Sequence, residues 1–340
     1  MSNEQSRIGW LIAAGDAHAI GLAAGRRGRA AVAAHLLPSA IWQEITAPAH
    51  VGRVEQMAAA TRARFPAIWQ EIEGLAEGLG LPLMQVFAWN CRGDLNAMVP
   101  DGCTTVQLPG PEIVVAHNED GLPFFDGHCF ILDAAPVGEP GFRAFCYPGS
   151  IPGHTFAVTG AGIVQTVNNL RLRGVDTGLP RMVLGRALLA CGTLDAALAL
   201  LGDAPAAGGF HFTLAQRGDA RLMSVENGGG GGVALREIAA PALHANHALL
   251  RGDAQIVTRS SGDRQRRGDA LIAGGARDPL AILCDTGGEG LPIFRRAPDD
   301  PDHENTLATA VFHIGNDGIR WTLRDPAGVV TTHAESHAPS

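Results

Sequence analysis

Apolar and polar positions recur along this chain in two rhythms, and the change between them falls near residue 100. From about Val51 to Leu79 the apolar residues Phe65, Ile68, Trp69, Ile72 and Leu75 return at three- and four-residue spacing. Between them stand Arg62, Arg64, Gln70, Glu71 and Glu73, a pattern that predicts helix. Gly78, Gly80 and Pro82 end it, and a shorter helical piece runs from Leu83 to Asn90. Before this region, an apolar run from Ile8 to Ala13 gives way to small residues without a clear period up to about residue 40.

After residue 102 the period shortens to two. Thr104–Leu108 with Ile113–His117, Phe156–Thr159 with Ile163–Val167, and Phe212–Gln216 with Arg221–Glu226 read as hairpins. Helical spacing returns at Arg181–Leu189, at Thr193–Leu201 with Thr193 as N-cap, at about 261–273 and at Pro279–Cys284. Strands Thr309–Ile314 and Gly318–Leu323 follow. The glycine run 228–232 reads as a loop rather than a phosphate cradle, because no helix start follows it. Helices, then antiparallel hairpins, then helices and hairpins again predict an α+β layout with helices on the outer faces of long sheets. No repeat or linker breaks the chain, so one domain over residues 1–340 is expected.

Composition narrows the chemistry. Hydrophobic content of 46% and charged content of 18% describe a globular chain. A formal charge of -8 argues against nucleic acid or an anionic membrane as partner. There is no membrane-length apolar run, and the polar opening lacks a signal-peptide pattern, so the expected compartment is the cytoplasm. All 26 basic residues are arginine, which removes Schiff-base and phosphate-loop lysine mechanisms. The six cysteines, Cys91, Cys103, Cys129, Cys146, Cys191 and Cys284, include no Cys-x-x-Cys pair.

One of them stands apart. Gly102 precedes Cys103 at the head of a predicted strand, within Asp101-Gly102-Cys103-Thr104-Thr105. A thiolate is a strong nucleophile but scarce at neutral pH, since a free thiol titrates near 8.5. A free α-amino group titrates at about 7.7–8.0 and serves as a base. Cleavage between Gly102 and Cys103 puts nucleophile and base on one residue, and a glycine before the bond tolerates a strained backbone. The competing reading is a structural cysteine buried at a turn.

Several stretches together resemble the isopenicillin-N acyltransferase-like family: Glu71 to Leu81, Trp89-Asn90-Cys91-Arg92-Gly93-Asp94-Leu95, Asp101 to Thr105, and Ala116-His117-Asn118-Glu119-Asp120. His244-Ala245-Asn246-His247 and Ser260-Ser261-Gly262-Asp263-Arg264 complete the set, in family order over roughly residues 50 to 325. The family consists of self-processing cysteine N-terminal-nucleophile hydrolases related to penicillin V acylase and bile-salt hydrolase. The resemblance implies a four-layer αββα sandwich and self-cleavage into residues 1–102 and 103–340. It further implies attack of Cys103 on a linear amide, with no cofactor. Carried over by motif, Cys103 is nucleophile and base, Asp120 orients its amine, and Asn246 donates to the oxyanion.

Asn118, Glu119, Phe124 and His154 are the candidates for substrate contact. Where relatives carry an aromatic residue beside the aspartate, this chain has Glu119, which either favours a cationic substrate group or faces solvent. Relatives of the bile-salt type place an arginine where His117 stands, so no role is carried over to His117. No second catalytic arginine is found near Asn305 to Thr309; Arg264, Arg266 and Arg267 read as a solvated or ion-paired helix face. His244 and His247 lack a third ligand, so no metal site is expected. Phe124, Phe125, Phe156, Phe210 and Phe212 flank the site in sequence and are core or pocket lining.

The function expected is an amidohydrolase of small N-acyl amines or peptide-like compounds working through a thioester. The rivals are an acyltransferase using an amine or coenzyme A, and a non-catalytic binding or scaffold protein. The expected partners are a small amide, the second fragment of the same precursor and, in an oligomer, further copies of the chain.

Overall fold

The computed structural model describes residues 6–100, 102–173, 178–204, 206–229, 232–252, 254–297 and 300–336. Asp101 of the Asp-Gly-Cys motif, and Gly230 and Gly231 of the glycine run, lie outside them. The chain begins with strand β1 (Gly9–Gly15) and then helices α1 (Ala17–Ala31), α2 (Ala40–Ile45), α3 (Val51–Arg64), α4 (Pro66–Leu79), α5 (Leu83–Asn90) and α6 (Arg92–Leu95). The long helix expected from Val51 to Leu79 is thus two. Pro66 cannot donate a backbone hydrogen bond, and Phe65 takes a non-helical conformation between them.

Residues 8–40, without period in the sequence, hold β1 and α1. The small residues of α1 let it pack backbone to backbone on α4. A Cβ at Gly21 would stand 1.8 Å from the Glu71 carbonyl oxygen, and one at Gly74 2.0 Å from that of His18. This contact leaves no apolar stripe of ordinary width to read.

The hairpins follow: β2 (Gly102–Leu108) and β3 (Ile113–Gly121), β4 (Phe130–Pro136) and β5 (Phe142–Cys146), β6 (Phe156–Thr159) and β7 (Ile163–Leu170). Helices α7 (Arg181–Leu188) and α8 (Leu194–Asp203) come next, and Thr193 caps α8 by accepting from the Ala196 amide at 3.1 Å. After β8 (Gly209–Gln216), β9 (Leu222–Asn227), β10 (Val233–Glu237) and β11 (Ala242–His244) come α9 (Arg259–Ala273) and α10 (Pro279–Leu283). The last strands are β12 (Asn305–Ile314), β13 (Gly318–Arg324) and β14 (Val330–Ser336).

These strands make two sheets, one of eight in the order β1-β4-β5-β6-β7-β8-β9-β10, the other of six in the order β11-β2-β3-β12-β13-β14. Within them every strand pairing is antiparallel except β1 on β4, a departure from the antiparallel sheets expected. The sheets face each other where β2 meets β7; α9 and α10 cover the smaller sheet, and α1, α7 and α8 the larger. The result is the four-layer αββα sandwich that the resemblance implies. Among the described residues no helix is long and apolar enough to cross a membrane.

Candidate active site

Gly102 and Cys103 open β2 and lie opposite Asp120 and Glu119 of β3. Alternation sorts this hairpin into two faces. Thr105 reaches Asn168 and Thr166 on β7, so Cys103, Thr105, His117 and Glu119 look between the sheets. Asn118 donates to the Leu283 carbonyl of α10, and Thr104 meets α9, so Gly102, Thr104, Asn118 and Asp120 look toward the helices.

On the inner face Cys103 is only 3% exposed. Its thiol faces Glu119 Oε2 at 3.6 Å, and the same oxygen lies 3.0 Å from His117 Nε2. Tyr147 donates its hydroxyl to Glu119 Oε1 at 2.6 Å. Glu119 therefore does not face solvent, contrary to one of the two sequence readings. Burial pushes His117 down to about 3, so it is neutral near pH 7. Its Nδ1 meets Thr105 Oγ1 at 2.8 Å, and a polar chain continues through Thr105 to Asn168 and on to His211 and Ser224. His211 stacks on His244 with ring centroids 3.5 Å apart. Histidines 211 and 244 thus belong to this interior chain, while His247 Nδ1 turns to Ser261.

Aromatic side chains close the inner face. His154 packs edge-on against Tyr147, and Phe156 against His117. Phe125 lies beside Tyr147, and Phe124 sits outside Phe125, half-buried against His35. Of the candidate contacts, the structure brings Glu119 and His154 to this face and keeps Phe124 one ring away. Asn118 is on the opposite face with both amide atoms engaged, by Leu283 and by Thr309. Phe210 lies beneath the Arg181 guanidinium of α7, on the helix side of its sheet, because His211 between it and Phe212 takes the inner position.

The outer face carries full charges. Glu304 accepts from Arg171 at 3.0 Å and pairs with Arg295, which also pairs with Asp300; all four are buried. A Cβ on Gly102 would lie 2.1 Å from Glu304 Oε2. Glycine is required here by this close approach and not by backbone strain, because Gly102 is absent from the positive-φ residues. Asp120 accepts from Thr306 at 2.6 Å, and its Oδ2 has no hydrogen-bond partner among the described residues. Burial raises its pKa, opposed by Arg264 and Arg295.

Two side chains grip the Cys103 peptide from the end of the sheet. Asn246 follows β11 and accepts the Cys103 amide proton on Oδ1 at 2.9 Å, while its Nδ2 donates to the Asn169 carbonyl at 3.1 Å. Arg264 donates to the Cys103 carbonyl at 2.5 Å, to Thr104 Oγ1 at 2.8 Å and to Asn246 Oδ1 at 2.7 Å. The amide of Asn246 is thus turned with its oxygen, not its donor, to Cys103 in the intact chain. Arg264 is no solvated residue: Ser260, Arg264 and Gly268 form the buried stripe of α9, and Arg266 points out. The signal was present as the four-residue spacing of this stripe, but polar residues at that spacing read as a surface. Asn169, also unremarked in the sequence, carries a buried Nδ2 without a partner among the described residues.

Among the described residues the ligand atoms of Cys103, His117 and Glu119 all lie within 4.8 Å of one another, where no metal site was expected.

A family model described as acyl-coenzyme A:6-aminopenicillanic acid acyl-transferase matches residues 108–328, beginning just after Cys103. The β-alanyl-dopamine/carcinine hydrolase of Drosophila melanogaster is 28% identical over 161 residues, 41% of this chain and 42% of that protein. The chain therefore matches about two fifths of that relative's length. A Caenorhabditis elegans N-acylethanolamine-hydrolyzing acid amidase ortholog superposes with a TM-score of 0.43 at 11% identity, over 62% of this chain and 92% of its own. A mutant of the conjugated bile acid hydrolase from Clostridium perfringens gives 0.41 at 9%, over 70% and 98%.

Proposed function

Because the chain belongs to the acyl-coenzyme A:6-aminopenicillanic acid acyl-transferase family, we propose that it is a self-cleaving cysteine amidohydrolase acting on the amide of a small N-acyl amine. The intact chain is then a zymogen, cut into residues 1–102 and 103–340. The observation that carries this reading is the grip on the Cys103 peptide, with its N–H held by Asn246 and its C=O by Arg264. A structural cysteine at a turn has no need of a buried arginine and asparagine on its own backbone.

In the first cut the Cys103 nitrogen is still an amide and cannot serve as base. The thiol proton passes to the hydrogen-bonded Glu119–His117 pair that it faces. Sγ attacks the Gly102 carbonyl carbon, the C–N bond breaks, and the Cys103 nitrogen leaves as an amine after taking up a proton. Water then hydrolyses the thioester, leaving a Gly102 carboxylate and a free Cys103 thiol. In turnover the new α-amine takes the thiol proton, and the substrate's acyl group passes to Sγ and then to water. The amine product leaves protonated. Asn246 supplies an oxyanion donor once the Cys103 nitrogen no longer holds its oxygen.

The family's description favours a second reading, in which an amine or a thiol of coenzyme A replaces water as acceptor. Six free cysteines suit a reducing compartment, the cytoplasm. A denaturing gel with intact mass tests the reading. Two fragments meeting at Gly102/Cys103 are expected, and Cys103→Ala abolishes them. A single full-length species without thiol-dependent amidase activity overturns it and leaves a non-catalytic protein of the same fold. A panel of N-acyl amines, β-alanyl amines and phenoxyacetyl amides, with and without added amine acceptors, then separates hydrolysis from transfer.

A further inference from the structure

The inner face of the β2–β3 hairpin does more than present a thiol. Cys103 Sγ and His117 Nε2 approach the same oxygen, Glu119 Oε2, at 3.6 and 3.0 Å. The tautomer of His117 follows from its other side. Asn168 gives its amide protons to the His244 carbonyl at 3.1 Å and so offers its oxygen to Thr105 at 2.7 Å. Thr105 has one hydroxyl proton, which this oxygen takes, so Thr105 accepts from His117 Nδ1–H at 2.8 Å. Nδ1 is thereby committed to Thr105, and Nε2 is the ring nitrogen turned to the carboxylate oxygen. The ligand atoms of Cys103, His117 and Glu119 converge within 4.8 Å of one another.

The donor set is a thiolate, an imidazole nitrogen and a carboxylate oxygen, the three types that bind zinc, at about 2.3, 2.0–2.1 and 2.0–2.2 Å. On tetrahedral angles those lengths place sulfur about 3.6 Å and nitrogen about 3.4 Å from the oxygen, where the chain has 3.6 and 3.0 Å. The supporting contacts are also in place. Thr105 fixes the His117 ring, and Tyr147 on Oε1 leaves Oε2 turned to the thiol.

We propose that Cys103, His117 and Glu119 form a zinc site, through which the ion caps the nucleophile and reversibly holds the protein inactive. Zinc takes the place of the thiol proton and of the proton shared between Glu119 and His117, releasing both to solvent without redox change. The intact chain offers three ligands. A cut at Gly102 adds a fourth, since the freed α-amine closes a five-membered ring through its own thiolate. Metal binding itself does not depend on the hydrolase reading; only the inhibitory consequence does.

The test is a cobalt titration of the metal-stripped, full-length protein in a non-chelating reducing buffer. A thiolate-to-cobalt charge-transfer band and intense four-coordinate visible bands are expected, both displaced by zinc. His117→Gln and Glu119→Gln each weaken binding by at least the about 10–100-fold that loss of an outer partner costs, and Cys103→Ala removes the charge-transfer band. Thr105→Val, which keeps all three ligands and removes only the support of His117, weakens binding about 10–100-fold. It serves where a ligand variant fails to fold. No thiolate band, or a band that survives all these substitutions, overturns the site. Zinc must also slow self-cleavage or turnover, with recovery on adding a chelator; binding without suppression overturns the capping. The same samples run on a denaturing gel keep the two readings apart. A protein that cleaves but binds no cobalt through sulfur loses the zinc site and keeps the hydrolase, and one that binds but neither cleaves nor hydrolyses amides does the reverse.

Discussion

The two faces of the β2–β3 hairpin solve the problem of buried polarity in opposite ways. The inner face, between the sheets, pairs groups that share protons: thiol, carboxyl, imidazole, hydroxyl and amide in one chain from Cys103 to Ser224. The outer face, under the helices, balances full charges. Arg171, Arg264 and Arg295 stand among Asp120, Asp300 and Glu304. Charges in a low dielectric hold position strongly but tolerate no missing partner. Proton-sharing groups tolerate neutral replacement and can change state. The hairpin therefore fixes its backbone from one side and keeps its proton-sharing groups on the other.

Arg264→Met breaks the comparison hardest. It leaves buried carboxylates short of a cation and releases both the Cys103 carbonyl and Asn246. A loss of about 3–5 kcal/mol is expected in urea unfolding, with self-cleavage stopped. Gly102→Ala attacks the same face by bulk, forcing a methyl onto Glu304. Overpacking of this kind costs about 1–3 kcal/mol, and slower cleavage accompanies it on a gel time course.

The inner face answers to pH instead. Burial, then His244, holds His211 well below its ordinary 6.5. The unfolded chain therefore takes up a proton that the folded chain refuses. Stability falls as pH drops below about 6.5, at up to about 1.4 kcal/mol per unit, toward the lowered folded value. His211→Gln flattens that slope in urea midpoints measured from pH 7 downward. The smallest effect sharpens the contrast. Glu119→Gln keeps an oxygen for Tyr147 and gives His117 Nε2 a donor, so unfolding stability changes by less than about 1 kcal/mol. A loss as large as that of Arg264→Met would end the distinction between the faces.

The sequence displayed the hairpins β2–β3, β6–β7, β8–β9 and β12–β13 and most helices, because their periods are local, but not the β4–β5 hairpin. It hid α1, whose alanines and glycines make sense only against the α4 glycines they meet backbone to backbone. It hid Arg264 for a related reason: the buried stripe of α9 is polar, and its partners, Cys103 and Asn246, are remote in sequence. Cys103 and Asn246 were legible as a motif, while the orientation of the Asn246 amide was not, since it depends on a carbonyl of β7. Glu119 was noticed as a departure, yet only folding shows that its carboxylate is enclosed by Tyr147 and His117.

The parallel pairing of β1 with β4 has a consequence for quaternary structure. Seven residues before position 102 complete a sheet built otherwise from residues after it, and Glu71 and Arg186 form a buried ion pair across the same divide at 2.8 Å. A break at Gly102 would then convert one polypeptide into an obligate heterodimer. Separating its subunits would mean stripping an edge strand from its neighbour and leaving the buried Glu71 without its arginine. Those contacts, rather than the peptide bond after residue 102, would then hold the two pieces together.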